Sequence, residues 1–367
     1  MKLDVSEKEI RQFLGVPEDV KELSETDIRV YQLLKEMEPG GKFFGRIGGS
    51  LASSHLNVGQ KRNLWNLMLT DDKGRKVPAL HLLPYDQNVE HSGYDANPNP
   101  QALSPEYMFE LVRAGGISGV VLHPGWISQF AGNYPDVPVI YKIDGKSDYL
   151  DQSKPMMAPM GSIEDALLYE PAGIGTTHYF GTQKEVEDFT RLVPIRDEAK
   201  KSGKLFWVWA YPRGQNVDAK GGQKALGAVF AAVTRASSFG TDVIKLNMPD
   251  SYDPKKADQY HSSFKDLHIT NKVAATRYCV WASQNSMTVI SGGAKKDEEE
   301  AIIDAVDISL KAGADGFLYG RNIFQRYFDE AVGLMRAIKD RTIAFKLEQL
   351  GAYEPKRGYF FPSAPEL

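Results

Sequence analysis

Lys245 stands inside the apolar run Val243-Ile244-Lys245-Leu246, a place where a permanent ammonium is costly to bury. Burial favours the neutral amine, and a neutral amine adds to a carbonyl to form a Schiff base. Bringing a lysine from its reference pKa of about 10.4 to roughly 7–8 takes about 3–4 kcal/mol of differential interaction. A second cation nearby supplies part of that, and Lys142, in another apolar run, is the natural candidate. The opposing reading is a lysine that snorkels to solvent or makes a structural ion pair.

Two other residues suit proton transfer. Asp86 can orient or deprotonate a substrate hydroxyl, and Tyr211 can move a proton at carbon next to an iminium. Each also has a plain alternative, a turn residue for Asp86 and an aromatic lid for Tyr211. Trp209, two residues before Tyr211, faces the same way on a strand and can wall a pocket, with Trp207 deeper in the same row. Arg213 steers an anion or pairs with a loop acid. Two turns, Ser291-Gly292-Gly293 and Gly320-Arg321-Asn322, have the make-up of an anion cradle: close backbone N–H groups, a following helix N-terminus and an arginine. His91, His123 and His178 invite a zinc reading, yet no H-x-x-H or H-E-x-x-H spacing is present. Polar contacts in or near the pocket are expected of all three, with no metal.

These residues must be carried by something, and the chain from residue 77 onward supplies it. Strand-like segments span 77–87, 119–125, 138–145, 173–181, 205–214, 242–247, 288–293 and 316–321. Their nearly continuous apolar character suits strands covered on both faces. Helical patterns fill the gaps at 105–114, 184–201 (with Pro194 inside), 223–238, 297–312 and 323–343. Eight strand–helix units in some 250 residues predict a (β/α)8 TIM barrel. A doubly wound open sheet is the alternative, but no strand leads into G-x-G-x-x-G. In a barrel the chemistry collects at the C-terminal strand ends, and the loops after strands seven and eight often hold phosphate. The two glycine turns fall there. Residues 1–76 read as an N-terminal helical extension, with helices at 6–14 and 26–36 and a Gly-rich stretch at 40–54, that caps the barrel bottom or mediates assembly. Residues 77–343 form the catalytic barrel, and residues 344–367 an extended C-terminal tail.

Composition narrows the class. With 44 Lys and Arg against 48 Asp and Glu, the formal charge is −4, which gives no broad electrostatic reason to bind nucleic acid or an anionic membrane. A single cysteine, Cys279, rules out an intrachain disulfide framework. No stretch approaches a transmembrane helix and the start does not read as a signal peptide, so a cytoplasmic enzyme is expected.

The motifs together resemble the DhnA-type class I fructose-bisphosphate aldolases of bacteria and archaea. The likeness covers roughly residues 82–339 and rests on LLPYDQNVEHS (82–92), VWAYPRG (208–214), TDVIKLN (241–247), ISGGAK (290–295) and GADGFLYGRNIFQR (313–326). It implies a Schiff-base lysine at Lys245, a proton-transferring tyrosine at Tyr211 and a substrate-orienting aspartate at Asp86. It implies that Trp209 stands near them and that Ser291, Gly292, Gly293, Gly320 and Arg321 hold the phosphate of the ketose-derived half; Lys142 and His91 are expected to add contacts to substrate. The substrate it implies is a phosphorylated sugar, fructose 1,6-bisphosphate, cleaved reversibly without a metal or other cofactor by a homo-oligomer. Three rivals stay open. One is a related lysine-dependent aldolase or synthase, such as 2-amino-3,7-dideoxy-D-threo-hept-6-ulosonate synthase. The others are a metal-dependent lyase and a catalytically inactive sugar-phosphate-binding regulatory protein.

Overall fold

Eight parallel strands close on themselves: β1 (Leu80–Pro84), β2 (Gly119–Leu122), β3 (Val139–Lys142), β4 (Gly173–Phe180), β5 (Leu205–Pro212), β6 (Val243–Asn247), β7 (Met287–Ser291) and β8 (Gly316–Leu318), with β8 pairing back to β1. The computed structural model describes residues 5–38, 46–149, 155–250, 264, 266–293, 295–296 and 298–352. Each expected strand segment overlaps one barrel strand, and the open-sheet alternative is set aside by the closed hydrogen bonding. Helices cover the outside, among them Pro105–Gly115, Glu185–Lys201, Leu226–Ser238 and Glu299–Lys311. Glu185–Lys201 runs through Pro194 without ending. Pro124–Phe130, Ile163–Leu167 and Lys272–Trp281 are helices that periodicity did not reveal. The expected helix 323–343 is two, Arg321–Phe324 and Phe328–Ala352. The chain thus stays helical well past residue 343, and the rest of the expected tail, 353–367, lies outside the described residues.

Parallel register carries one inward residue from strand to strand in level rows. Val243 sits beside Trp207, and Lys245 lies between Trp209 on β5 and Val289 on β7. On β4 the inward positions level with the two indoles are Gly175 beside Trp207 and Thr177 beside Trp209, with Gly173 one step lower. The glycines leave the space the indoles need. A Cβ on Gly173 would lie 2.6 Å from Trp207 Nε1, and one on Gly175 would lie 2.7 Å from Trp209 Cη2, distances no packed interior accepts. Both tryptophans are buried, and they fill the barrel with Leu82, Val121, Ile140, Val243 and Val289.

The N-terminal extension closes the opposite end. Helix Val58–Leu67 starts from a capping box between Asn57 and Gln60, and its Leu64 and Leu67 join the interior cluster. Gln60 Nε2 donates to Asp242 Oδ2 at 2.8 Å and Asn63 Nδ2 donates to the Gly203 carbonyl at 2.9 Å, both ahead of strand starts. Part of the Gly-rich stretch is a helix, Arg46–Ala52, whose buried Arg46 bonds the Val280 carbonyl at 2.9 Å and faces Asp315 at 3.4 Å. The first two helices, Glu7–Leu14 and Glu25–Lys35, instead pack on the side of the barrel against Lys272–Trp281. Buried Asp27 ties them there by accepting from His268 N at 2.8 Å and Nδ1 at 2.9 Å. No helix among the described residues is long and apolar enough to cross a membrane.

Replacing Gly175 by Val forces Trp209 from its place. Overpacking of this kind costs about 1–3 kcal/mol, so Gly175→Val is expected to lower the urea midpoint and shift the tryptophan emission. An unchanged midpoint and spectrum would show that β4 does not set the position of Trp209.

Candidate active site

Lys245 is 4% exposed, so it does not snorkel. Its Nζ lies 5.0 Å from the Trp209 ring centroid and 5.8 Å from that of Tyr211, and among the described residues it has no ion pair. Lys142, at the end of β3 two strands away, sends its Nζ over the same indole at 5.8 Å. The two expected amines therefore share one aromatic ring, which is negative on its face. Tyr211 is half-buried, with the Arg213 guanidinium 5.0 Å above its ring.

Lys142 is held by a residue that sequence reasoning missed. Asp144, fully buried, pairs its Oδ1 with Lys142, and its own carbonyl accepts from Lys142 Nζ at 2.8 Å. Its Oδ2 accepts from Arg191 Nη1 at 2.7 Å and from the Thr176 hydroxyl, and both oxygens take the Thr177 N–H at 3.2 Å. Burial alone would push this carboxyl up. The charges of Lys142 and Arg191, with the Lys142 and Thr176 hydrogen bonds, overcome it and hold the group below the usual carboxylate range.

Asp86 follows β1 and is buried, with Oδ1 unpartnered among the described residues. An acceptor left so in a native interior points to a missing partner. His123 follows β2 and is buried, its Nε2 3.2 Å from the Asp144 carbonyl. A carbonyl only accepts, so Nε2 carries the proton and the ring is the neutral acceptor at Nδ1. Burial first, then the charge of Lys142, pushes His123 down to about 4.

His91 and Arg321 meet on one carboxylate at the rim. His91 Nδ1 is 2.5 Å from Asp95 Oδ2, and Arg321 Nε is 3.9 Å from the same oxygen. The hydrogen bond to Asp95 raises His91 above its ordinary value despite partial burial. His178 is not in the pocket. It alternates with inward Thr177 and faces outward, bonded to Asp188 on helix Glu185–Lys201 and packed on Phe189. The three histidines thus occupy separate settings, and among the described residues no three His, Cys, Asp or Glu side chains form a ligand group.

The two glycine turns come together as expected, but one of their donors is taken. Gly292 N–H donates to the Leu318 carbonyl at 2.9 Å, because β7 and β8 still pair there, so it is not free for an anion. Gly292 is required for space instead, since a Cβ would meet Tyr319 Cδ1 at 2.5 Å. Gly293 has φ +72° with nothing within 4 Å of a Cβ, and a Cβ on Gly320 would strike the Pro84 carbonyl at 2.8 Å. Asn322 clamps the turns: its Nδ2 donates to the Gly292 carbonyl at 3.1 Å and its Oδ1 accepts from Lys296 N at 2.9 Å. Ser291 ends β7 beside Asn247.

A family model for DeoC/LacD aldolases matches residues 80–326, the whole barrel from β1 through the second glycine turn. The chain belongs to the DeoC/LacD aldolase family. Within it, this aldolase is similar to "Fructose-bisphosphate aldolase class 1" of Thermoproteus tenax, 31% identical over 71% of the chain and 88% of the relative. It is 29% identical to "Fructose-bisphosphate aldolase/6-deoxy-5-ketofructose 1-phosphate synthase" of Methanocaldococcus jannaschii, over 74% of the chain and 84% of the relative. A solved archaeal fructose-1,6-bisphosphate aldolase, with its catalytic Lys covalently bound to the carbinolamine intermediate of the substrate, is 28% identical. It superposes at a TM-score of 0.61 over 72% of this chain and 94% of the other. The likeness read from the motifs is the one these comparisons find.

The two rim and pocket histidines should titrate in opposite directions. In a histidine-ring NMR titration His91 is expected to protonate above the free imidazole value, and Asp95→Ala to bring it back down. His123 is expected to stay neutral at pH 5. A His123 signal that titrates near 6.5 would contradict the burial described for it.

Proposed function

We propose that this chain is a Schiff-base-forming aldolase that reversibly cleaves fructose 1,6-bisphosphate to dihydroxyacetone phosphate and glyceraldehyde 3-phosphate. The observation that carries the reading is Lys245, an amine enclosed in the barrel on the Trp209 and Tyr211 rings, without an ion pair among the described residues. Relatives named for this activity, one of them trapped on its lysine, support it.

In this reading the Lys245 amine adds to the C2 ketone, and loss of water gives an iminium. Asp86, with its open oxygen, takes the proton of the C4 hydroxyl. The C3–C4 bonding pair then flows into the iminium, glyceraldehyde 3-phosphate leaves, and a neutral enamine remains. Tyr211, within the same aromatic contact as Lys245, returns a proton to C3. Hydrolysis frees dihydroxyacetone phosphate and the amine. Gly293, Gly320 and Ser291, with Arg321, anchor the phosphate of the ketose half, so the ketone stays in reach of the amine, a proximity effect. No cofactor is needed for these steps, because the iminium is itself the electron sink.

Borohydride added with fructose 1,6-bisphosphate should fix one adduct, and peptide mass mapping should place it on Lys245. An adduct on Lys142 would overturn the assignment. Tyr211→Phe and Asp86→Asn are expected to lower kcat by about 10²–10⁴-fold, the range for a lost proton-transfer group. Arg321→Ala should act mainly on KM. The Methanocaldococcus relative bears two activities in its name, so products with several acceptor aldehydes decide between cleavage of this sugar and a synthase reaction.

A further inference from the structure

The buried charges behind Lys142 do not belong to any step above. Arg191 projects from helix Glu185–Lys201, outside the barrel wall, yet its Nη1 reaches Asp144 at 2.7 Å while Nε and Nη2 grip Asp188 Oδ1 at 2.8 and 2.7 Å. It is only slightly exposed, and Asp144 and Asp188 are buried. Asp144 accepts from four donors, Lys142, Arg191, Thr176 and the Thr177 amide, which fills a carboxylate's capacity. Two of them are cations. Arg191 has a second carboxylate in Asp188, so two cations face two carboxylates and Asp144 remains the counter-charge of Lys142. The same residue's carbonyl fixes the direction of the Lys142 side chain at 2.8 Å and takes the His123 Nε2–H at 3.2 Å.

We propose that Asp144 is a positioning residue for catalysis: bonded to both Lys142 and Arg191, it holds the Lys142 ammonium on the Trp209 ring that Lys245 also faces. This rests on Lys245 being the Schiff-base lysine. Cleavage turns the cationic iminium into a neutral enamine, so an ammonium held at a fixed place on the same ring favours that step. Its effect therefore falls on kcat. Phosphate binding at the glycine turns is untouched, and KM moves little.

The test is a double-mutant cycle on the full chain with fructose 1,6-bisphosphate: Asp144→Asn, Lys142→Met and the pair. Asp144→Asn keeps the shape, the carbonyl and one side-chain acceptor but removes the counter-charge and the anchor. It is expected to lower kcat about a hundredfold, the scale of a misplaced catalytic group, with KM changed by much less. The pair should be no slower than Lys142→Met alone, because Asp144 acts through Lys142. Fully additive losses, or a loss confined to thermal stability with kcat intact, would overturn the proposal. Should Asp144→Asn not fold, Arg191→Lys keeps the charge but gives up the fork that spans Asp144 and Asp188. It must then show the same kcat-selective loss, and an unchanged kcat sinks the idea. Borohydride trapping runs alongside: an adduct elsewhere than Lys245 in the unaltered protein refutes the aldolase assignment itself, and an adduct on Lys245 with additive losses refutes only the role of Asp144.

Discussion

Two amino groups on one indole are the constraint around which this barrel is arranged. Trp209 lies between Lys142 and Lys245, and each lysine would be costly in an apolar interior without compensation. The ring face offers negative potential to both, and Asp144 offers a counter-charge to one. The other is left without an ion pair among the described residues, which suits a group whose task is to form and break a covalent bond. Because the barrel is closed and its core is full, these side chains have few alternative rotamers, and their spacing is inherited from strand register.

The two ends of the barrel are treated differently. At one end Gln60, Asn63, Leu64 and Leu67 of the N-terminal extension seal the strand starts with hydrogen bonds and apolar packing. At the other, polar atoms gather and some are left open, as at Asp86. Stability is concentrated below and reactivity above, the division expected of this architecture. The extension also explains how a chain longer than the matched family region stays one unit, since its first helices are bound to the barrel flank through Asp27 and His268.

Much of this was legible in the residues. The strands were visible because buried strands leave long apolar runs, and Lys245 was visible because a charge interrupts one. Trp209 and Tyr211 follow from the period of two. The same period would have turned His178 outward, had it been counted from Gly175 rather than read as a strand-end histidine. Asp144 and Arg191 were hidden for another reason. Asp144 falls at the polar end of the strand-like segment 138–145, and its partner is 47 residues away on a helix whose polar face looks solvated. Only the fold brings them together. Gly292 had the right type for an anion donor, but its N–H is claimed by β8, a competition that composition does not reveal. The short helices after β2 and β3 are too brief to show a 3.6-residue period.

The glycine row on β4 carries a consequence for altering this enzyme. Removing the Trp209 side chain would not be answered by collapse, because Gly175 has no side chain to lend and Trp207 already fills the row beneath. The result would be an aromatic-sized space bordered by both amines, with the outline of the ring it lost. Added indole could then enter as a removable prosthesis, restoring or withholding the platform beneath the lysines at will.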